Sequence, residues 1–163
     1  ITRLRERVKR GFDIKPTQSI VHGDFQPDQL IFSGLEVSGL IDYETMREGY
    51  PEYELAKGLF HFSEFDEEKK QFNLNAVGRF LEVYYCTVGR EVDCEGEEII
   101  TFMRLASMKI LAYVLRGYLI TGKAGKRAQR AKAIGMFYRR LKYLREHEEE
   151  TISHINTLRK PRI

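Results

Sequence analysis

At 163 residues the chain can bury one domain's core, and its 42% hydrophobic and 12% aromatic content argues against a disordered chain. The balance of 27 Lys and Arg against 24 Asp and Glu gives a net charge of +3, too mild to imply nucleic acid. No apolar run approaches the roughly 20 residues that span a bilayer, so no membrane is implied either.

Two cysteines, Cys86 and Cys94, are too few for a disulfide framework and sit in no metal-ligand pattern, so a cytoplasmic location with reduced thiols is expected. The opening Ile1-Thr2-Arg3-Leu4-Arg5 lacks the apolar run of a signal peptide. Because it begins on Ile inside a predicted helix, the chain reads as a fragment, a processed product or a designed piece.

Residues 2–10 are predicted as a short helix with Leu4 and Val8 on one face. Gly11 ends it, and Pro16 keeps the next segment extended. Ser19-Ile20-Val21 is β-branched and suits a short strand. His22 to Gln29, with Gly23 and Pro27, is expected to be an irregular loop. Leu30-Ile31-Phe32 and residues 36–41 are predicted as two strands turning around Ser33-Gly34. Such a hairpin returns Asp42, at the end of its second strand, beside Gln29, at the start of its first.

From Pro51 the pattern is helical. Pro51 suits the first turn of a helix through Glu54, Leu55, Leu59 and Phe62. Asp66 is expected to cap a second helix ending near Gly89, with Phe72, Val77, Phe80, Leu81 and Tyr84 as its stripe. A third helix, 96–120, is apolar almost all round and is expected at the centre of the bundle. A fourth, 125–150, carries Phe137, Tyr138, Leu141 and Leu144 opposite a basic face. The tail from Thr157 is polar and expected to fray. The fold class is therefore α+β and mostly helical, a short hairpin followed by a helical bundle, in one domain spanning 1–163.

Three blocks carry a chemical signal. They are Val21-His22-Gly23-Asp24-Phe25-Gln26-Pro27-Asp28-Gln29, then Leu40-Ile41-Asp42-Tyr43-Glu44, then Gly49-Tyr50-Pro51-Glu52-Tyr53-Glu54-Leu55-Ala56. Their order and spacing resemble the catalytic loop, metal-binding strand and following helix start of the aminoglycoside phosphotransferase and choline kinase-like family. That family's pattern reads roughly H-G-D-x-x-x-x-N, I-D-[FYW]-[ED] and G-D-P-x-x-D-L-A. The chain departs from it at Gln29 for the Asn, Tyr50 for the acid before Pro51, and Glu54 for the Asp of D-L-A. The family's N-terminal nucleotide-binding lobe has no counterpart here, which would leave this chain inactive alone.

The resemblance implies the C-terminal lobe of a protein-kinase-like fold and transfer of the γ-phosphoryl of ATP, or GTP, to the hydroxyl of a small molecule. It implies Asp24 as the base that orients and deprotonates that hydroxyl, with Gln29 and Asp42 holding Mg²⁺ and through it the nucleotide. His22 is read as loop support rather than a proton carrier. Glu44, Glu48 and Glu52 could face a cationic substrate, although solvated charge is as good a reading. His61, His147 and His154 read as surface or packing residues. Thr121-Gly122-Lys123-Ala124-Gly125-Lys126 lacks the spacing of a phosphate loop and reads as a basic turn. Two other readings stand beside the kinase: a non-catalytic, pseudokinase-like binding module, and a truncated remnant that dimerises through its exposed lobe interface.

Overall fold

The computed structural model describes residues 19–88 and 96–158. The predicted helix at 2–10, Gly11, Pro16, Cys94, the predicted helix end near Gly89 and the tail beyond Leu158 lie outside them. The described residues form a mostly helical α+β fold with three two-stranded antiparallel sheets.

β1 (Ser19–Val21) pairs with β4 (Arg47–Gly49), Val21 opposite Arg47 and Ser19 opposite Gly49. Between them β2 (Leu30–Ser33) and β3 (Glu36–Leu40) form a hairpin with Leu30 opposite Leu40 and an irregularity between Ile31 and Phe32. Gly34 takes the left-handed conformation (φ 65°) that its turn requires. β4 has no strand composition of its own; the neighbouring β1 edge supplies its pairing. The loop before β2 is not wholly irregular either, because Pro27–Gln29 winds into one 3₁₀ turn that Pro27 starts.

α1 (Pro51–Phe62) starts at Pro51, with Glu52 and Glu54 in the first turn, where the helix dipole favours acids. It buries Leu55, Ala56, Leu59 and Phe60. The predicted cap at Asp66 is corrected. Asp66 lies in a small hairpin, β5 (Phe65–Asp66) with β6 (Gln71–Phe72), and its Oδ1 accepts from the Glu68 and Lys69 amides, both at 2.9 Å. An aspartate that closes a turn onto its own backbone competes with helix capping. The helix starts later, as α2 (Leu74–Val88), with the Ala76 amide on Asn73 Oδ1 at 3.2 Å.

α3 (Gly96–Ile120) has the predicted limits, but its central position holds only for its first half. Ile99, Ile100, Phe102 and Met103 are buried, whereas Tyr113, Leu115, Leu119 and Ile120 are exposed. The predicted fourth helix is two: α4 (Ala124–Glu146) and α5 (Glu148–Leu158), which break at His147. Three glutamates, Glu148 to Glu150, open α5, and the Thr151 hydroxyl donates back to the His147 carbonyl at 2.8 Å. Buried Arg104 of α3 joins the two sides of the break, donating to Leu144 O at 2.5 Å and pairing with Glu148 at 3.0 Å. The core continues from α1 through Phe65, Phe72, Leu81 and Met103 to Leu144 and Ile155, so the bundle backs the loop that α1 faces.

Candidate active site

The loop after β1 is held from behind by α1. Glu54 accepts the His22 amide on Oε2 at 2.9 Å and the Gly23 amide on Oε1 at 2.6 Å. One carboxylate thus satisfies two consecutive backbone donors. Gly23 has φ 82°, and a Cβ there would collide with the Thr45 carbonyl and the Arg47 guanidinium. Only glycine fits. Phe25 lies against Phe62, ring centroids 5.1 Å apart, and over Gly58, whose missing side chain makes room for it.

His22 is buried. Its Nε2 donates to the Ile41 carbonyl at 2.8 Å, because a carbonyl only accepts, and this joins the loop to the end of the hairpin. The Thr45 hydroxyl donates to the His22 carbonyl at 2.8 Å, and the ring meets Tyr43 edge-on. The imidazole therefore ties two segments together.

Asp24 is where three side chains converge. Lys57 Nζ lies 2.5 Å from Oδ1 and donates to the Gly23 carbonyl at 3.1 Å. Gln26 Nε2 donates to Oδ2 at 3.0 Å, and Gln29 Nε2 reaches the same oxygen at 3.5 Å. The same Gln29 amide donates to Asp42 Oδ2 at 3.1 Å. The hairpin thus brings Asp24, Gln29 and Asp42 within one hydrogen-bonded chain. Asp42 takes the left-handed conformation (φ 67°) as the backbone turns out of β3, one of the few residue types that adopts it cheaply.

Burial pushes the Asp24 carboxyl up, but the hydrogen bond and charge of Lys57, with the Gln29 amide, outweigh it and hold the group below the usual aspartate range. His61, one turn beyond Lys57 on α1, is pushed down to about 4 by burial and by the Lys57 and Arg140 charges. It is neutral at pH 7.

Glu44 and Glu48 are exposed, and no hydrogen bond among the described residues ties Glu44, Glu48 or Glu52 to this cluster. His147 is exposed and stacks on Tyr143, while His154 Nε2 meets the Leu74 carbonyl at 3.0 Å. A cleft of about 650 Å³ lies at the β5–β6 hairpin, lined by Asp66, Asn73, Tyr143 and Glu150, and it shares no residue with the Asp24 cluster. The arrangement of the side chains, not the size of the hollow, marks the site.

Sequence reasoning missed Lys57 and the anchoring role of Glu54. The signal was present: Glu54, Lys57 and His61 recur at helical spacing, a polar stripe on a helix whose Leu55, Ala56, Leu59 and Phe60 are core.

The donor set can be compared with a hard cation's needs. Among the described residues no three His, Cys, Asp or Glu side chains cluster as a metal site. Mg²⁺ asks for less, because it keeps several waters and takes one or two protein oxygens plus substrate phosphates. Asp42 offers an exposed carboxylate, and Gln29 an amide already in contact with it, so the residues fit that mode.

Among curated proteins none matches the chain. The family model of the phosphotransferase enzyme family, APH, matches residues 1–82, half of the 163-residue chain and the half that holds Asp24, Gln29, Asp42, Glu54 and Lys57. Kinases of that family in general use ATP and Mg²⁺. By this match, over a segment whose loop, hairpin and helix assemble one polar cluster, the chain belongs to the aminoglycoside phosphotransferase and choline kinase-like family of phosphotransferases.

Proposed function

We propose that the chain is the catalytic-loop and substrate-binding lobe, equivalent to a kinase C-terminal lobe, of a small-molecule phosphotransferase that moves the γ-phosphoryl of ATP or GTP to a substrate hydroxyl. The observation that carries this reading is the convergence of Asp24, Gln29 and Asp42. Three residues at the three positions of the motif meet because a hairpin folds them together.

In this reading Asp24 orients the acceptor hydroxyl and takes its proton as the O–H bond breaks. Phosphoryl transfer has a loose transition state, so placement matters more than base strength, and a carboxylate held below its ordinary pKa still suits the task. Lys57 fixes Oδ1, and Oδ2, which accepts from Gln26 and Gln29, is the oxygen that would meet the hydroxyl. Asp42 and Gln29 would hold Mg²⁺, with the amide oxygen of Gln29 replacing its present donation. The ion, when bound, neutralises charge on the transferred phosphoryl group. Glu54, through the Gly23 and His22 amides, keeps the loop shape under load. The exposed apolar row Ile31, Phe32 and Val37 on the hairpin favours a covering nucleotide-binding lobe or a second copy against this face.

A second reading, a non-catalytic binding module, is favoured by the same contacts seen differently. Lys57 clamps Asp24, and Gln29 spends its amide on two carboxylates. The experiment that separates them is Mg²⁺-dependent nucleotide consumption by the full natural reading frame containing this chain, with amino and hydroxy acceptors. Asp24→Asn should lower turnover by about 10²–10⁴-fold while nucleotide binding persists. Unchanged turnover in that variant would remove Asp24 from catalysis, and absent Mg²⁺-nucleotide binding would favour the binding module.

A further inference from the structure

Arg139 and Arg140 are neighbours on α4 with different fates. Arg139 pairs with Glu67, Nη2 to Oε2 at 2.7 Å and Nε to the same oxygen at 2.8 Å. Arg140 turns to α1 and β5, its guanidinium 5.5 Å from the Phe60 ring and 5.7 Å from the Phe65 ring. Its one protein acceptor among the described residues is the Phe60 carbonyl, at a long 3.5 Å from Nη1, and its Nε is buried without a partner. Aromatic faces support the cation but do not neutralise it.

His61 follows Phe60 in α1 and meets that ring edge-on, centroids 5.5 Å apart. Its Nε2 is also buried without a partner among the described residues. Lys57, four residues earlier on the same helix face, is the ion-pair partner of Asp24. Lys57 and Asp24 cancel, and Glu67, whose charge also reaches Arg140, is held by Arg139, so two arginines share one carboxylate and Arg140 keeps an excess positive charge. Two buried nitrogens with nothing to bond are costly unless a water or a ligand supplies oxygen. The excess charge of Arg140 favours an oxyanion over water there.

We propose that Arg140 and His61, behind the Lys57–Asp24 pair, form an anion subsite that receives a carboxylate or phosphate group carried by the acceptor. The acceptor's role rests on the phosphotransferase reading; the subsite itself does not. It turns the expectation from polycationic acceptors to hydroxy acids and sugar or polyol phosphates. A guanidinium presents a planar fork to such groups, which gives both affinity and orientation. The occupant could instead be the nucleotide's own phosphate, and the test separates the two.

Titration calorimetry with inorganic phosphate and with glycerate, in the presence and absence of ADP with Mg²⁺, measures the subsite without turnover. Binding should weaken about tenfold in Arg140→Met and far less in Arg140→Lys, with both variants folded by circular dichroism. In turnover, matched pairs such as glycerol and glycerate should show about a tenfold preference in kcat/KM for the acid, lost in Arg140→Met with the KM for ATP unchanged. No binding of either anion, or preference for the neutral member, overturns the proposal. So does an Arg140→Met variant whose ATP KM rises while its acceptor preference stays, or phosphate binding that ADP abolishes. Arg140-dependent anion binding with no turnover of any acceptor upholds the subsite and overturns the phosphotransferase reading.

Discussion

Lys57 Nζ sits 2.5 Å from Asp24 Oδ1, and the two side chains are only 11% and 31% exposed. This pairing of α1 with the loop is the strongest electrostatic contact of the candidate site. Removing either partner leaves a charge in a partly desolvated place. Lys57→Met and Asp24→Asn should each lower stability by about 1–3 kcal/mol, and the double variant should lose less than their sum. Urea unfolding of all four proteins checks this; full additivity would mean that the pair contributes nothing.

Glu54 should matter to shape before chemistry. Glu54→Gln keeps the size of the side chain but replaces a doubly accepting carboxylate by an amide with one accepting oxygen. The expected cost is about 1–3 kcal/mol, with faster amide exchange at Gly23 and His22. Hydrogen exchange read at those two amides is the check, and Glu54→Asp should fall short because its stem is one methylene shorter.

Gly23→Ala should fail more severely. Its positive φ and the closeness of the Thr45 carbonyl leave no room for a methyl group. A loss of about 2 kcal/mol or more in unfolding free energy is expected, whereas Gly34→Ala, strained in φ but open in space, should cost about 1 kcal/mol.

His61 gives the chain an acid-side weakness. Its folded pKa of about 4 lies below the ordinary 6.5, so the unfolded chain binds the extra proton first. Stability from this group is full above pH 6.5 and falls as pH drops from 6.5 to 4, by up to about 3 kcal/mol. Asp24 adds its own loss only lower, around and below the ordinary aspartate value of 3.8. Chemical denaturation at a series of pH values should show the slope between 6.5 and 4, and His61→Gln should flatten it there.

The proposed metal pair makes a separable forecast. Gln29→Ala should raise the Mg²⁺ concentration for half-maximal turnover about tenfold, and Asp42→Asn should raise it more. Gln29→Asn, with the family's residue, should keep or improve it. Mg²⁺ titrations of nucleotide consumption measure all three.

Much of this site was legible in the sequence because its parts are local. The hairpin of β2 and β3 follows from β-branched residues either side of Gly34, and its closure alone places Asp42 on Gln29. Pro51 marked the start of α1, and Gly96 to Ile120 was read to its limits. What failed depended on contacts distant in sequence. β4 exists through β1. The break at His147 is bridged by Arg104 from another helix, and the Asp66 turn is part of a hairpin too short to show periodicity. The role of Lys57 depends on such a contact too: its helical spacing with Glu54 and His61 marks a polar stripe, but only the loop in place shows that its partner is Asp24.

The pairing of Ser19–Val21 with Arg47–Gly49 closes a ring of chain around everything between residues 22 and 46. Three residue pairs serve as the latch of a belt that carries Asp24, Gln29, Asp42 and the hairpin alike. If the latch slips, these groups leave together rather than one at a time. Protection of the Asp24, Gln29 and Asp42 amides should then rise and fall as one cooperative unit, set by the latch together with the Glu54 and Lys57 contacts from α1.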